Sequence, residues 1–254
     1  MTKFLCGLLL LSCMACTNFN LNEGSDGASS SNRFSLTAEE EAFNAIRVGD
    51  LELLDLLLAR GVDINQLNDG GNTLLHEAIE WDQLEIVHFL LEERANATLR
   101  NLQNLTPLDL AERKNSLLVL HLLNGTDPSS EEVSQSFFMA VSQRKVGIVR
   151  YCIKELNFDV DQENETGKTA LILSVSDQSL ETVSLLLTLN ANPNFQIRRG
   201  QLTSLMICAQ VGNSDIARLL LSSGAVKGLK NLRGQTAYEI AIDNGFDDLG
   251  ALLK

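Results

Sequence analysis

Aromatic residues are scarce in this 254-residue chain, at 5%, with a single Trp. Positive charge is short as well: 20 Lys plus Arg stand against 33 Asp plus Glu, a net charge of −13. A protein that neutralises phosphates needs an excess of Lys and Arg, so a nucleic-acid binder is excluded. A basic protein partner is compatible with the acidic balance. The longest apolar run lies at the N-terminus and is too short to cross a bilayer as a helix. The chain also lacks G-x-S-x-G, a P-loop and H-E-x-x-H. Its carboxylates form no phrase beyond those of solvated helix faces, so an enzyme is not expected. What the chain has in quantity is leucine, 47 residues within a hydrophobic content of 44%. That suffices for a packed core and excludes a disordered protein. Many leucines and few aromatics point to helices rather than strands.

The first residues have the architecture of an export signal. Lys3 supplies a positive charge, Phe4 to Ser12 an apolar stretch, and Met14-Ala15-Cys16 follows. The ending resembles a bacterial lipobox, with small Ala15 before Cys16. That resemblance implies cleavage before Cys16 and acylation of its thiol. Cys13, after Leu10-Leu11-Ser12, is a rival site, and ordinary cleavage after Ala15 is a third course. Thr17 rather than Asp after the cysteine implies, in that family, sorting to the outer membrane. Residues 17–36 are rich in Gly, Ser, Asn and Asp and show no apolar period. Such a stretch is a flexible tether of about 25 Å root-mean-square span. The expected organisation is a signal over 1–15, a lipidated cysteine and tether over 16–37, and a folded part over 38–254 in the periplasm.

The folded part repeats itself. Thr73-Leu-Leu-His-Glu-Ala78, Thr106-Pro-Leu-Asp-Leu-Ala111, Thr169-Ala-Leu-Ile-Leu-Ser174, Thr203-Ser-Leu-Met-Ile-Cys208 and Thr236-Ala-Tyr-Glu-Ile-Ala241 are variants of T-P-L-H-x-A. Thr73 and Thr106 are 33 residues apart, Thr169 and Thr203 34, and Thr203 and Thr236 33. Second phrases follow in register: Leu84-Glu-Ile-Val87, Leu180-Glu-Thr-Val183 and Ser214-Asp-Ile-Ala217. Leucine pairs then come at 57–58, 90–91, 186–187 and 220–221. Gly49, Gly212 and Gly245 stand where a first helix should end in a left-handed residue. Phrase and period together resemble the ankyrin repeat.

Two further units lack the Thr phrase, an N-terminal cap at 38–65 and a unit at 129–162. The expected fold is an all-α ankyrin-repeat solenoid of about seven helix-turn-helix units with short β-hairpin loops. The units fall near 38–65, 66–99, 100–128, 129–162, 163–196, 197–229 and 230–254, the last serving as a C-terminal cap. The step from Thr106 to its counterpart Gln135 is only 29 residues. One loop is therefore missing near 124–130, Ser129 and Glu132 should form a capping box, and the stack should be irregular there.

A helix pair this short cannot bury its apolar face alone, so neighbours must stack and leave a concave side for partners. In the ankyrin family that side is made by the loop tips and the exposed ends of the first helices. Carried onto this chain, the resemblance implies partner-binding positions at Glu80, Trp81, Arg113, Lys114, Gln143, Asp177 and Gln210 on the helix ends. It implies Leu67, Asn72, Arg100, Leu102, Leu105 and Arg199 at the tips. Trp81 leads them, because Trp and Arg most often dominate interface energy. Leu67, Leu102 and Leu105 are placed to extend an apolar patch around it; the alternative is that Trp81 folds down as packing.

The same resemblance implies a monomer that grips another exported protein. In overall look the chain is similar to the exported ankyrin lipoproteins with which a predatory bacterium shields itself from its own wall peptidases. It therefore implies an inhibitor or immunity protein facing a basic cell-wall hydrolase. A non-inhibitory adaptor and a host-directed effector are the other readings, and the lipobox opposes the second. No cofactor or metal is expected. His76, in the T-P-L-H position, should bond backbone in the adjacent loop. His88 and His121 share a repeat position about 10 Å apart, too far for one zinc, and should be solvated. Cys152 and Cys208 fall on core positions about 20 Å apart and should be buried free thiols.

Overall fold

The structure, a computed structural model, describes residues 36–254. The export signal, Cys13, Cys16 and the tether as far as residue 35 lie outside the described residues.

Each repeat begins at a hydroxyl. Thr73, Thr106, Thr169, Thr203 and Thr236 are all helix N-caps, and each side chain accepts the backbone N–H three residues on. Thr37 and Ser129 do the same in the two units without the phrase. Such a cap satisfies one of the N–H groups that a helix start leaves without a partner. Where residue four of the phrase is polar, it returns the bond. Asp109 and Glu239 accept the N–H of their own caps, as Glu40 and the expected Glu132 do.

Fourteen helices result among the described residues, in seven pairs. They are α1 (Ala38–Val48) with α2 (Leu51–Ala59), α3 (Leu74–Glu80) with α4 (Leu84–Glu92), and α5 (Pro107–Arg113) with α6 (Leu117–Asn124). The fourth pair is α7 (Ser130–Gln143) with α8 (Val146–Lys154), the fifth α9 (Ala170–Ser176) with α10 (Leu180–Thr188). The last two are α11 (Ser204–Val211) with α12 (Ser214–Ser222), and α13 (Ala237–Asp243) with α14 (Asp247–Leu253). Every first helix ends in a left-handed residue. Glycine supplies it at 49, 212 and 245, and Asp82, Asn115, Arg144 and Gln178 adopt it without glycine. No helix among the described residues is long and apolar enough to cross a membrane.

The core is the line of small and branched residues that the phrase sets in register. Its last position is Ala45, Ala78, Ala111, Ala140, Ser174, Cys208 and Ala241, none more than 2% exposed. Small side chains there let consecutive first helices close on one another. One position on the second helices reads Leu57, Leu90, Cys152, Leu186, Leu220 and Leu253, all buried. Cys152 and Cys208 are free and buried, as their positions imply.

The loops between pairs are turns rather than β-hairpins. Among the described residues no strand forms, and one isolated bridge joins Leu67 to Thr73. Four of these turns are held by an asparagine side chain. Asn68, Asn101, Asn164 and Asn231 each use Oδ1 to accept the N–H groups two and four residues on. The 197–202 loop lacks that asparagine and is one residue longer. This accounts for the 34-residue step before Thr203.

The four-residue deletion changes the packing order. Elsewhere each first helix packs on the previous first helix, but α7 packs on α6, α8 and α9, while α5 packs on α3 and α6. In turn α8 lies against α4, two pairs back. Lys145 pairs with Asp82 at 3.0 Å, Arg150 with Glu85 at 3.6 Å, and Tyr151 meets His88 edge-on. Gly147 makes the approach possible: a Cβ there would lie 3.1 Å from Gln83 Oε1 and 3.2 Å from the Asp82 carbonyl. Leu123, the α6 counterpart of Leu90 and Cys152, is left only half-buried.

Candidate protein-binding surface

The best-defined part of the surface is built around a buried carboxylate. Glu77 occupies the variable position of its phrase, which holds Leu110, Leu173, Ile207 and Ile240 in other repeats. Its side chain is 7% exposed. One oxygen, Oε1, accepts from Asn68 Nδ2 at 2.8 Å and Asn72 Nδ2 at 3.0 Å. The other accepts the indole N–H of Trp81 at 3.0 Å and lies 3.6 Å from Arg47 Nε. Burial alone would push this carboxyl up. The hydrogen bonds from Asn72, Trp81 and Asn68 and the Arg47 charge outweigh it, so Glu77 sits below the usual carboxylate range. An ionised group held this way needs all its partners, so the loop tip, α1 and Trp81 are fixed together.

Trp81 is thus neither loose nor folded away. Its residue is 50% exposed while its N–H is tied down. Leu67 and Leu102 are exposed at 58% and 75%. Leu102 lies over Gly71 of the preceding tip, and Leu67 faces a hollow beside Phe43 and Arg47. Glu80, Arg113, Gln143, Asp177, Arg199 and Gln210 are exposed as expected, and so is Arg100, which donates to the Asn104 carbonyl at 2.6 Å.

Three expected contact residues are instead engaged internally. Asn72 donates to Glu77 and accepts from Asn101 Nδ2 at 2.9 Å, because the tip is held by its asparagines. Leu105 is half-buried, and its carbonyl faces His76 Nε2 at 2.9 Å. Lys114 reaches back to the Glu80 carbonyl and lies 3.5 Å from Asp82.

The histidines divide. His76 bridges its own cap, Thr73, to the next loop. Burial holds its ring below its ordinary value, against the hydrogen bond to Leu105 and the Glu77 charge. His88 and His121 do not stand free in solvent. Both line one crevice of about 220 Å³ with Tyr151. His121 Nδ1 meets Thr126 Oγ1 at 2.8 Å, and its Nε2 is buried 3.6 Å from Glu132. The shortened 124–130 link draws the start of α7 over α6 and covers that ring. Among the described residues no group of three His, Cys, Asp or Glu is placed to hold a metal ion.

Sequence reasoning missed Glu77 and the four loop asparagines. Their signals were an acidic residue at an otherwise apolar position, and an Asn five residues before four of the five Thr caps.

Stacked helix pairs with capped starts and asparagine-held tips define a protein-interaction scaffold. The family model for ankyrin repeats in three copies matches residues 42–132 and 111–197, and the single ankyrin-repeat model matches 201–232. The chain belongs to the ankyrin-repeat family. It is similar to the ankyrin repeat and KH domain-containing protein mask-1 of Caenorhabditis elegans, at 27% identity over 80% of this chain and 9% of that protein. It is similar to the ankyrin repeat protein YahD of Escherichia coli (strain K12), at 26% identity over 71% of this chain and 94% of that one. The ankyrin repeat domain of Bcl-3 shares 25% identity over 82% of this chain and 96% of that domain, with a TM-score of 0.47. The chain spans about a third or less of the length of the first curated relatives it matches.

Proposed function

We propose that this chain is an envelope-tethered protein-binding module. Its exposed first-helix ends and loop tips cover an exported enzyme, a basic peptidoglycan peptidase in the reading favoured here, and so protect the cell that makes it. The observation that carries the binding part is Trp81, half exposed yet held by the Glu77 carboxylate. An aromatic anchor fixed before contact loses little freedom on binding, which is what makes such residues dominate interfaces. The net charge of −13 supports a basic partner, since opposite charge speeds encounter. Lys3, the apolar stretch to Ser12 and Cys16 support export and a lipid anchor, with the periplasmic side of the outer membrane as the site of action.

The test mixes the mature chain with periplasmic peptidases and follows peptide hydrolysis. Loss of turnover in step with complex formation supports the inhibitor. Binding with turnover unchanged makes the chain an adaptor. Mass spectrometry of the native N-terminus tests the anchor: an acylated Cys16 supports it, whereas a free N-terminus at Cys16 overturns it.

A further inference from the structure

We infer that the cleft where the first helices of the third and fourth pairs part is a docking slot for an acidic peptide segment of a protein partner. The occupant presents an Asp or Glu beside an apolar side chain. The slot exists because α5 does not pack on α7 as other first helices pack on their predecessors. It encloses about 480 Å³, room for a few side chains. Met139, 59% exposed, and Leu117 form its apolar walls.

Its charge decides the occupant. Lys114 Nζ lies 3.5 Å from one Asp82 oxygen, and Lys145 Nζ lies 3.0 Å from the other. Two half-buried ammonium groups therefore share one carboxylate, leaving a positive charge unbalanced in a partly desolvated cleft. The turns that carry them are Lys114-Asn115-Ser116 and Gln143-Arg144-Lys145. The equivalent turns read Val48-Gly49-Asp50, Trp81-Asp82-Gln83, Asp177-Gln178-Ser179, Val211-Gly212-Asn213 and Asn244-Gly245-Phe246, with no Lys or Arg. On a chain of net charge −13, a carboxylate is repelled elsewhere and welcomed here, which gives specificity as well as attraction. The slot deepens the protein-binding reading by naming the chemistry of one partner segment.

The experiment uses the mature chain with ¹³C-labelled methionine methyls. Beyond the signal only Met139 and Met206 remain, one on the slot wall and one buried in α11, so the second signal is an internal control of folding. The probes are N-acetyl-Leu-Glu-Leu-amide and its Gln and Lys counterparts. The Glu peptide should shift Met139 saturably and leave Met206 unmoved. The Gln peptide should bind roughly threefold more weakly, the worth of one exposed charge pair, and 1 M salt should erase the difference. Lys145→Glu should reverse the preference toward the Lys peptide. Gln143→Glu alters an exposed side chain at the same turn and should weaken the Glu peptide without moving Met206. Equal binding of the Glu and Gln peptides overturns the slot. So does a Met139 shift that grows with protein concentration alone, which would make the occupant a second copy. No native partner is used, so failure here leaves the Trp81 surface to be judged by the peptidase assay.

Discussion

The indole N–H of Trp81 donates to the buried carboxylate of Glu77 at 3.0 Å, across one turn of α3. This bond lets a large aromatic stand half in solvent without swinging free. Trp81→Ala should weaken partner binding by about 2 kcal/mol or more, and it should also lower stability by about 1–3 kcal/mol, because the buried Glu77 carboxylate loses its indole donor. Trp81→Phe removes the donor and keeps most of the ring, so its affinity should fall between the two. Calorimetric titration beside a melting curve reads both effects. A variant that melts early and binds normally once folded would make Trp81 packing.

Gly147→Ala should destabilise the chain by about 1–3 kcal/mol, because the added methyl meets the Asp82 carbonyl and the Gln83 amide where α8 crosses α4. Urea unfolding of the variant beside Gly228→Ala, where a Cβ meets nothing within 4 Å, isolates the contact. Equal midpoints for the two would mean that α8 does not rest on α4.

Burial pushes the Cys152 and Cys208 thiols up to about 12. At pH 8 a thiol reagent should find none in a folded chain that begins after Cys16, and two once it is unfolded. Reaction of either thiol before unfolding would show the core open at that repeat.

Acid should unfold the chain in two stages. His76 is held below its ordinary value of 6.5 by burial, so the unfolded chain binds its proton first and stability begins to fall as pH drops below that value. Asp109, Glu132 and Glu239 are held below the usual carboxylate range chiefly by the N–H groups of their caps, and Glu77 by its hydrogen bonds and Arg47. Their contribution is complete above about pH 4.5 and is lost as pH falls through the lowered values. Asp161, raised by burial, runs the other way. Urea midpoints at pH 7, 5.5, 4 and 3 should step down accordingly. A midpoint constant to pH 3 would mean that these bonds contribute nothing net.

Most of the fold was legible because a capped start is local. A Thr followed three residues later by an N–H to accept needs no distant partner, and the 33-residue period announces it five times. The irregular join was legible as a count, 29 residues in place of 33, but its consequence was not. Nothing local says that α8 skips to α4, since that choice is made by Gly147, Gln83 and Asp82 meeting across more than sixty residues. Exposure was legible by register at Trp81, Glu80 and Gln210. The internal bonds of the Asn72 and Lys114 side chains and of the Leu105 carbonyl were not legible, because register places a Cα on a face but does not say which neighbour claims its polar groups. His121 failed for the same reason, its ring being covered by a segment drawn in by the shortened link.

The amino-acid order alone determined that this chain is made of capped helix pairs, where each pair starts and turns, and which side of every helix faces inward. Those are short-range matters of hydroxyls, glycines and apolar spacing. The folded arrangement alone decided which polar groups remain free. Trp81 is held out by Glu77, and Lys114 and Lys145 are gathered on one aspartate at the broken join. Such groups are spent or spared by partners far away in sequence, and only packing brings those partners within the few ångströms at which charge and hydrogen bonding act.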